Sequence, residues 1–427
     1  MNITDVGHLA GDGDMGMDKI EEAARAKNMN AYELSEFYTR AFQNDVKSLN
    51  MLQPDIWEKA TNTITEQVSL IKKLEEKGFT YKISDGIYFN TSKFLSYGAM
   101  STLDPKGIKE TARIDKNPER KNPRDFALWK FNKTGKPRQM EWDSPWGVGF
   151  PGWHIECSAI SIKYLGAPFD IHTGGVDHLP THHPNEIAQT ECALGVKMAN
   201  YWLHGEHLVI DSKRMGKSVG NFVTLRDVIN KGFDPPAYRY FLYSAHYRQQ
   251  LNFTWGGLES AQTALGRIEN YVTNALESTD VDENVNTEGL SRNKDISEIQ
   301  SRSEEFKAKY SLKFVNAISD DLNMPRALAV VWEMLGEAKK VGGLEAESLS
   351  LLFDWDSIFG LGLNKAQNSR FEVQEEIPEK IMRLIKEREK ARKSKDFATA
   401  DKLRKDIEKL GYKIEDFSNG TRVVGKK

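Results

Sequence analysis

Cysteine is almost absent from this chain: Cys157 and Cys192 are the only two in 427 residues. That excludes a disulfide-stapled fold and makes a reducing cytoplasm the expected setting. No run of about 18 apolar residues occurs, so no hydrophobic helix is expected to cross a membrane. The opening stretch Met1-Asn-Ile-Thr-Asp5 has neither the basic nor the apolar region of a signal peptide. Net charge is small, −3 with 28% charged residues, which leaves no global bias toward nucleic acid. Internal repeats and low-complexity tracts are missing too, so solenoid and fibrous architectures drop out. What is left is a soluble globular protein of roughly two to four domains.

The charge that is present is unevenly spread. Residues 373–427 hold 16 Lys/Arg against 11 Asp/Glu, a net of +5, which leaves the rest at −8. A basic tail on an acidic body fits a polyanionic partner, although on charge alone a solvated helix explains it equally well. Periodicity predicts helices over 17–48 and 55–78, the second with Ile64, Val68, Ile71 and Leu74 on one face and Gly78 as its stop. From Tyr81 to about Asp143 the character changes. Strand-like pieces, Gly86-Ile-Tyr-Phe89 and Phe126-Ala-Leu-Trp-Lys130, alternate with Lys- and Pro-rich loops, as in a small inserted domain. From about Leu258 the pattern is helical, with polar breaks near 278–295 and 341–346. A final helix carries the stripe Phe397, Ala400, Leu403, Ile407 and Leu410 and is stopped by Gly411.

Seven of the nine histidines fall between positions 154 and 207, the clustering expected of an active-site region. There Cys157 closes the run Pro151-Gly-Trp-His-Ile-Glu-Cys157, and His182 and Glu186 lie one helical turn apart at a helix start marked by Pro184. Thiolate, imidazole and carboxylate are standard zinc donors, and three protein ligands with one open position is the count of a reactive zinc centre. Cys157 has to come from a separate element, as in sites built between a strand and a helix. A buried thiol beside a surface His and Glu is the competing account. Cys192 falls inside the predicted helix 185–194 and reads as core.

Three further motifs divide. Arg214-Met-Gly-Lys-Ser218, followed by Val-Gly-Asn221, has Asp211 where a Walker A loop needs glycine, so the P-loop reading fails. Arg214 and Lys217 can still neutralise a departing pyrophosphate, the alternative being an exposed basic loop. Gly11-Asp-Gly-Asp-Met-Gly16 fits GxGxxG, but Asp12 and Asp14 would repel a pyrophosphate and no clean apolar strand precedes it. It reads as a flexible acidic loop. His172-Thr-Gly-Gly-Val-Asp177 follows a strand-like segment, where glycines let a nucleotide approach and Asp177 can meet ribose hydroxyls; a tight turn explains it as well.

Taken together, Pro151–Cys157, Gly174-Gly-Val-Asp177, His182-His-Pro-Asn-Glu186-Ile-Ala-Gln and Arg214–Ser218 resemble, in content and order, the motifs of cysteinyl-tRNA synthetase. Asn122-Pro-Arg-Asp-Phe-Ala-Leu-Trp-Lys130 is similar to that family's insertion domain, and the stretch from Ala391 to Gly420-Thr resembles its anticodon-binding end. The resemblance implies an α/β protein: a Rossmann-like parallel-sheet catalytic domain split by an insertion, then an α-helical bundle and a small C-terminal anticodon-binding domain. The implied segments are 1–78 and 144–207 for the two parts of the catalytic domain and 79–143 for the insertion. They continue with 208–257 for the signature loop and stem contact, 258–372 for the bundle and 373–427 for the anticodon module.

The implied reaction is ligation of L-cysteine to tRNA(Cys) through cysteinyl-adenylate by a cytoplasmic monomer, with ATP and Mg2+ and one Zn2+ per chain. Carried over by position, Cys157, His182 and Glu186 are zinc ligands, and Trp153, His172 and Thr4 lie by the substrate cysteine. Asp177, Gly175, Arg214 and Lys217 face ATP, with Lys217 stabilising the pyrophosphate leaving group. Arg392, Asp401 and Asp416 are implied to contact the anticodon.

The family begins with a strand and helix that bring a further zinc-ligand cysteine and a HIGH-like ATP motif. Neither is found here, and His8 in Val-Gly-His-Leu is not that motif. The expectation is a sequence that starts some tens of residues late, without the first strand of the parallel sheet. Weaker ATP and zinc binding and an exposed apolar sheet edge would follow. The alternatives are a truncated paralogue that binds zinc or tRNA, and the related ligase that joins cysteine to an amino sugar in mycothiol synthesis. The basic tail argues against the latter.

Overall fold

The computed structural model describes residues 1–6, 19–100, 117–132, 138–216, 220–282, 294–364, 379–394, 396–410, 412–417 and 420–426. The chain divides into two units, Met1–Asn364 and Lys365–Lys427.

The first unit opens with β1 (Asn2–Ile3), which pairs in parallel with β2 (Glu58–Lys59). Between them lie α1 (Lys19–Ala26) and α2 (Ala31–Ser48), where periodicity predicts a single helix over 17–48. The break is local chemistry. Asn28 takes a left-handed φ of 54°, and Asn30 and Glu33 form a capping box that starts a new helix. The second predicted helix likewise begins late, as α3 (Ile64–Glu76), because Glu58 and Lys59 are used as a strand.

Four strands follow: β3 (Thr80–Ile83), β4 (Gly86–Phe89), β5 (Phe126–Lys130) and β6 (Phe150–Pro151), an antiparallel sheet in that order. Every residue of β4 and β5 is buried, as befits central strands covered on both faces. The one charge among them, Lys130, is paired with Asp85 at 2.7 Å. Against this sheet pack α3, α4 (Trp153–Leu165) and α5 (His182–Leu194), through Leu70, Ile71, Leu74, Ile155, Ala159, Ala188 and Cys192. Cys192 is thus core, while the opposite faces of α4 and α5 are free to carry chemistry.

Strands β7 (Phe169–Gly175) and β8 (Ala199–Gly205) form a second parallel pair, with α5 between them in sequence. The facing residues Ile171 and Tyr201 are both exposed, leaving apolar surface on this pair. Next come β9 (Leu208–Ile210), β10 (Lys213–Arg214), the short helices α6 (Leu225–Asn230) and α7 (Pro235–Leu242), and β11 (Leu251–Phe253). The strands form a three-stranded sheet ordered β10-β9-β11. Asp211 and Ser212, at φ 48° and 61°, make the tight turn that presents Arg214. Four helices close the unit: α8 (Trp255–Asp282), α9 (Lys294–Ser319), α10 (Met324–Val341) and α11 (Glu345–Phe359). Phe314 stacks on Trp355 at 4.4 Å between ring centroids in their core.

The second unit pairs helices Glu379–Lys393 and Phe397–Lys409 through Ile381, Ile385 and Ile407. Ala400 of the predicted stripe is buried with them, whereas Phe397 and Leu410 are exposed at the helix ends. A hairpin of β12 (Tyr412–Phe417) and β13 (Gly420–Lys426) completes it. Gly411, the predicted stop, and the acidic glycine loop Gly11–Gly16 lie outside the described residues.

Candidate metal and substrate site

The site begins with how α4 is seated. Its N-cap Gly152 donates its N–H to the Leu128 carbonyl at 3.0 Å, and a Cβ there would come within 2.1 Å of the Ala127 oxygen. Only glycine lets the helix start flush on β5. That fixes Trp153, His154 and Cys157 along the helix. Cys157 therefore stands on a helix, not on the strand expected for it. The site is built between two helices, because α4 and α5 pack side by side on the same sheet. Ser158 and Gln189, hydrogen-bonded at 2.6 Å, tie the two together beside the cluster.

Sγ of Cys157, a ring nitrogen of His182 and a carboxylate oxygen of Glu186 all lie within 4.8 Å of one another, and all three residues are buried. His172, His183 and Glu186 form a second, overlapping group within the same distance. Glu186 sits between: one oxygen is 2.7 Å from His182 Nε2, the other 3.1 Å from His172 Nε2. These are close contacts without hydrogen-bond geometry, since neither buried oxygen accepts a well-aimed hydrogen bond. Ligands that converge on a common cation have this arrangement. Burial pushes the Glu186 carboxyl up, but the two imidazoles outweigh it and hold it well below the ordinary carboxylate range. Burial pushes the Cys157 thiol up, and the charges of Glu186 and Glu156 add to this. A coordinated cation reverses that order by favouring thiolate outright. Thiolate, imidazole and carboxylate converging at one buried point fit zinc.

Other histidines surround this core. His154 Nδ1 lies 3.0 Å from His182 Nδ1, so the second nitrogen of His182 is engaged and Nε2 is left for Glu186 or a metal. His183 Nδ1 meets His204 Nε2 at 2.8 Å, and His178 reaches His183 from the other side. Burial drives His183 down to about 3, so it is a neutral ring at physiological pH. Trp153 packs its ring 4.8 Å from that of His182, at the mouth of the cluster. Sequence reasoning named His172 but passed over His154, His178, His183 and His204. The adjacent pair His182-His183 and the crowding of histidines in one stretch were the available signal.

Gly174 belongs to the same packing: a Cβ there would lie 2.6 to 2.8 Å from ring atoms of His178 and His183. At Gly175 a Cβ would meet only the Asp177 carboxylate, at 2.2 Å from Oδ1, so a side chain there would displace Asp177 rather than the backbone. Asp177 itself is exposed in the turn after β7. Thr4 is exposed just beyond β1, whose Asn2 touches Cys157. Asp5 anchors this strand end by accepting from Thr61 N at 2.9 Å and Thr61 Oγ1 at 2.6 Å. Arg214 is exposed on β10, and Lys217 lies outside the described residues. The loop between them is braced by Asn221, whose Nδ2 donates to the Arg214 carbonyl and whose Oδ1 accepts from Gly216 N–H. Met215 anchors the base of this loop in a small apolar pocket with Leu208, Ile210, Val228 and Phe253. In the second unit Arg392 and Asp401 are exposed on the two helices, and Asp416 is in β12.

Residues 2–263 match the family model of the class I (C) tRNA synthetase catalytic domain. Residues 313–364 match a DALR domain and residues 374–422 the cysteinyl-tRNA ligase anticodon-binding domain. In fold the chain is similar to methionyl-tRNA synthetase of Mycobacterium tuberculosis solved with methionyl-adenylate, at TM-score 0.55 and 15% identity over 82% of this chain and 78% of that one. Fold and site together define a class I aminoacyl-tRNA synthetase. Cysteine–tRNA ligase 1 of Burkholderia lata is 42% identical over 426 residues, covering 100% of this chain and 83% of its own. Cysteine–tRNA ligase of Treponema denticola is 39% identical over 425 residues, covering 99% of this chain and 86% of its own. The chain belongs to the cysteinyl-tRNA synthetase family. Among the described residues, no helix is long and apolar enough to cross a membrane.

Proposed function

We propose that this chain activates L-cysteine with ATP, forming cysteinyl-adenylate and pyrophosphate, and passes the cysteinyl group to the terminal adenosine of tRNA(Cys). The observation that carries the reading is the buried Cys157–His182–Glu186 donor set in a chain of this family. Zinc, when bound there, supplies a soft Lewis acid that holds a thiolate far better than an alcohol. That matters because serine and cysteine differ mainly by oxygen for sulfur, and packing alone separates such pairs by only ~1–3 kcal/mol.

The chain's own groups divide the remaining work. Trp153 and His172 flank the substrate side chain, and Thr4 lies close to the cysteine. Gly175 and Asp177 face the nucleotide, where a side chain at 175 would press on Asp177. Arg214 and Lys217, with Mg2+, neutralise the departing pyrophosphate from the loop that Asn221 braces. Segments 1–78 and 144–207 make up the catalytic domain and 79–143 its insertion. The stretch 208–257 contacts the acceptor stem, 258–372 is the bundle, and 373–427 reads the anticodon through Arg392, Asp401 and Asp416. The two unpaired thiols suit a reducing cytoplasm, where the enzyme works as a monomer.

The test is ATP–pyrophosphate exchange with cysteine and with serine, alongside zinc content and charging of tRNA(Cys). The expected result is cysteine-dependent exchange that chelation abolishes and zinc restores, with Lys217→Ala strongly reduced. Zinc and tRNA binding without exchange would overturn the enzyme reading. Equal exchange with serine would overturn the role given to the metal.

A further inference from the structure

We propose that Asn2 is a positioning residue for the metal-binding thiolate, acting through a hydrogen bond to the Cys157 sulfur. The inference rests on reading Cys157 as a metal ligand. Asn2 Nδ2 donates to Cys157 Sγ at 3.0 Å, across a sequence separation of 155 residues. Asn2 is otherwise exposed, while the sulfur it reaches is buried. Its backbone is set from both sides: Asn2 pairs in register with Glu58 of β2, and three residues on Asp5 is fastened to Thr61 and, through its carbonyl, to Ser35 Oγ at 3.0 Å. The amide is thus delivered by a braced strand rather than by a mobile loop.

The chemistry needs such a donor. The charged groups facing the sulfur are the carboxylates Glu186 and Glu156, both of which oppose thiolate. An N–H aimed at sulfur withdraws charge from it, which keeps the thiolate in place and lowers its donation to a bound metal. Partners of this kind orient a ligand and tune the metal, and their loss costs ~10–100-fold in metal affinity.

Cobalt(II) reports on this directly, because its thiolate-to-metal charge-transfer band moves with the electron density on sulfur. The full chain and the variants Asn2→Ala and Asn2→Asp are titrated with Co2+, then competed with Zn2+. Losing the donor is expected to shift the band to lower energy in both variants and to weaken binding ~10–100-fold. Asn2→Asp, which sets a carboxylate against the sulfur, is expected to bind more weakly than Asn2→Ala. A band that stays in place in both variants overturns the proposal even if affinity falls, because a packing role alone lowers affinity without moving the electron density on sulfur. If the unaltered chain shows no thiolate band at all, the metal-site reading fails and this inference with it.

Discussion

Gly174→Ala should be far more costly than its one added methyl suggests. An ideal Cβ at Gly174 would lie 2.6 Å from His178 Nδ1, 2.7 Å from His183 Cε1 and 2.8 Å from His183 Nε2. Ordinary contacts are about 3.5 Å or more, so the rings would have to retreat by ~0.7–0.9 Å. His183 has nowhere to go. It is 1% exposed, is held by His204 at 2.8 Å, and has His172 and Trp202 at ring separations of 4.8 and 4.9 Å. Overpacking of this kind costs ~1–3 kcal/mol. Gly205, at the end of the neighbouring strand, provides the control, because a Cβ there meets nothing within 4 Å. Without strain, glycine to alanine is neutral or gains up to ~1 kcal/mol through the unfolded chain. Urea unfolding of the two variants should therefore differ by ~1–4 kcal/mol, with Gly174→Ala the weaker. Co2+ affinity should fall with it, since His183 abuts the donor cluster. If both variants unfold at the same urea concentration, the close packing of these rings against β7 is wrong.

The depressed His183 gives a pH signature. Its folded form refuses the proton that the unfolded chain accepts below pH 6.5, so stability should fall as pH drops from 6.5 towards 3 and be insensitive to this group above 6.5. Each unit of displacement is worth about 1.4 kcal/mol, and His183→Asn should flatten the slope of urea midpoint against pH; an unchanged slope refutes the assignment. Arg239→Ala removes the donor that reaches the Leu49 and Asn50 carbonyls at 2.9 and 2.7 Å, and should destabilise the first unit by ~2–4 kcal/mol in the same assay. A loss below ~0.5 kcal/mol would mean that water replaces the guanidinium freely. Asn221→Ala should slow ATP–pyrophosphate exchange by ~10-fold, the equivalent of one or two hydrogen bonds, and leave metal content unchanged. A parallel loss of metal would place its effect on the fold rather than on the loop.

Those parts of the fold that depend on local pattern could be read directly from sequence. β4 and β5 announced themselves as short apolar runs, and α5 as a helix begun near Pro184 with Cys192 on its core side. Helix boundaries were less legible, because capping competes with periodicity. Apolar spacing runs on through 17–48, yet Asn30 and Glu33 had already written a new start. The candidate ligands were visible because chemistry restricts which residues can serve. The residues that support them were not. Asn2 reaches Cys157 across 155 positions, and His204 on β8 reaches His183 on α5. Nothing in local composition encodes such pairings; they exist only once β1, β7 and β8 are in register. Gly174 fell in between. Its motif suggested room for a nucleotide, whereas the space is taken up by imidazole rings.

Trp153 has a consequence outside catalysis. Its indole is 39% exposed, lies edge-on to His182 at 4.8 Å and stacks against His154 at 5.5 Å. Excited indole passes charge readily to a protonated imidazole and much less to a neutral or metal-bound one. The emission of this one tryptophan therefore encodes the electronic state of the cluster beneath it. Subtracting the spectrum of Trp153→Phe from that of the unaltered chain would isolate that signal from the other eight tryptophans. The protein thus carries its own optical gauge of what occupies the space between α4 and α5.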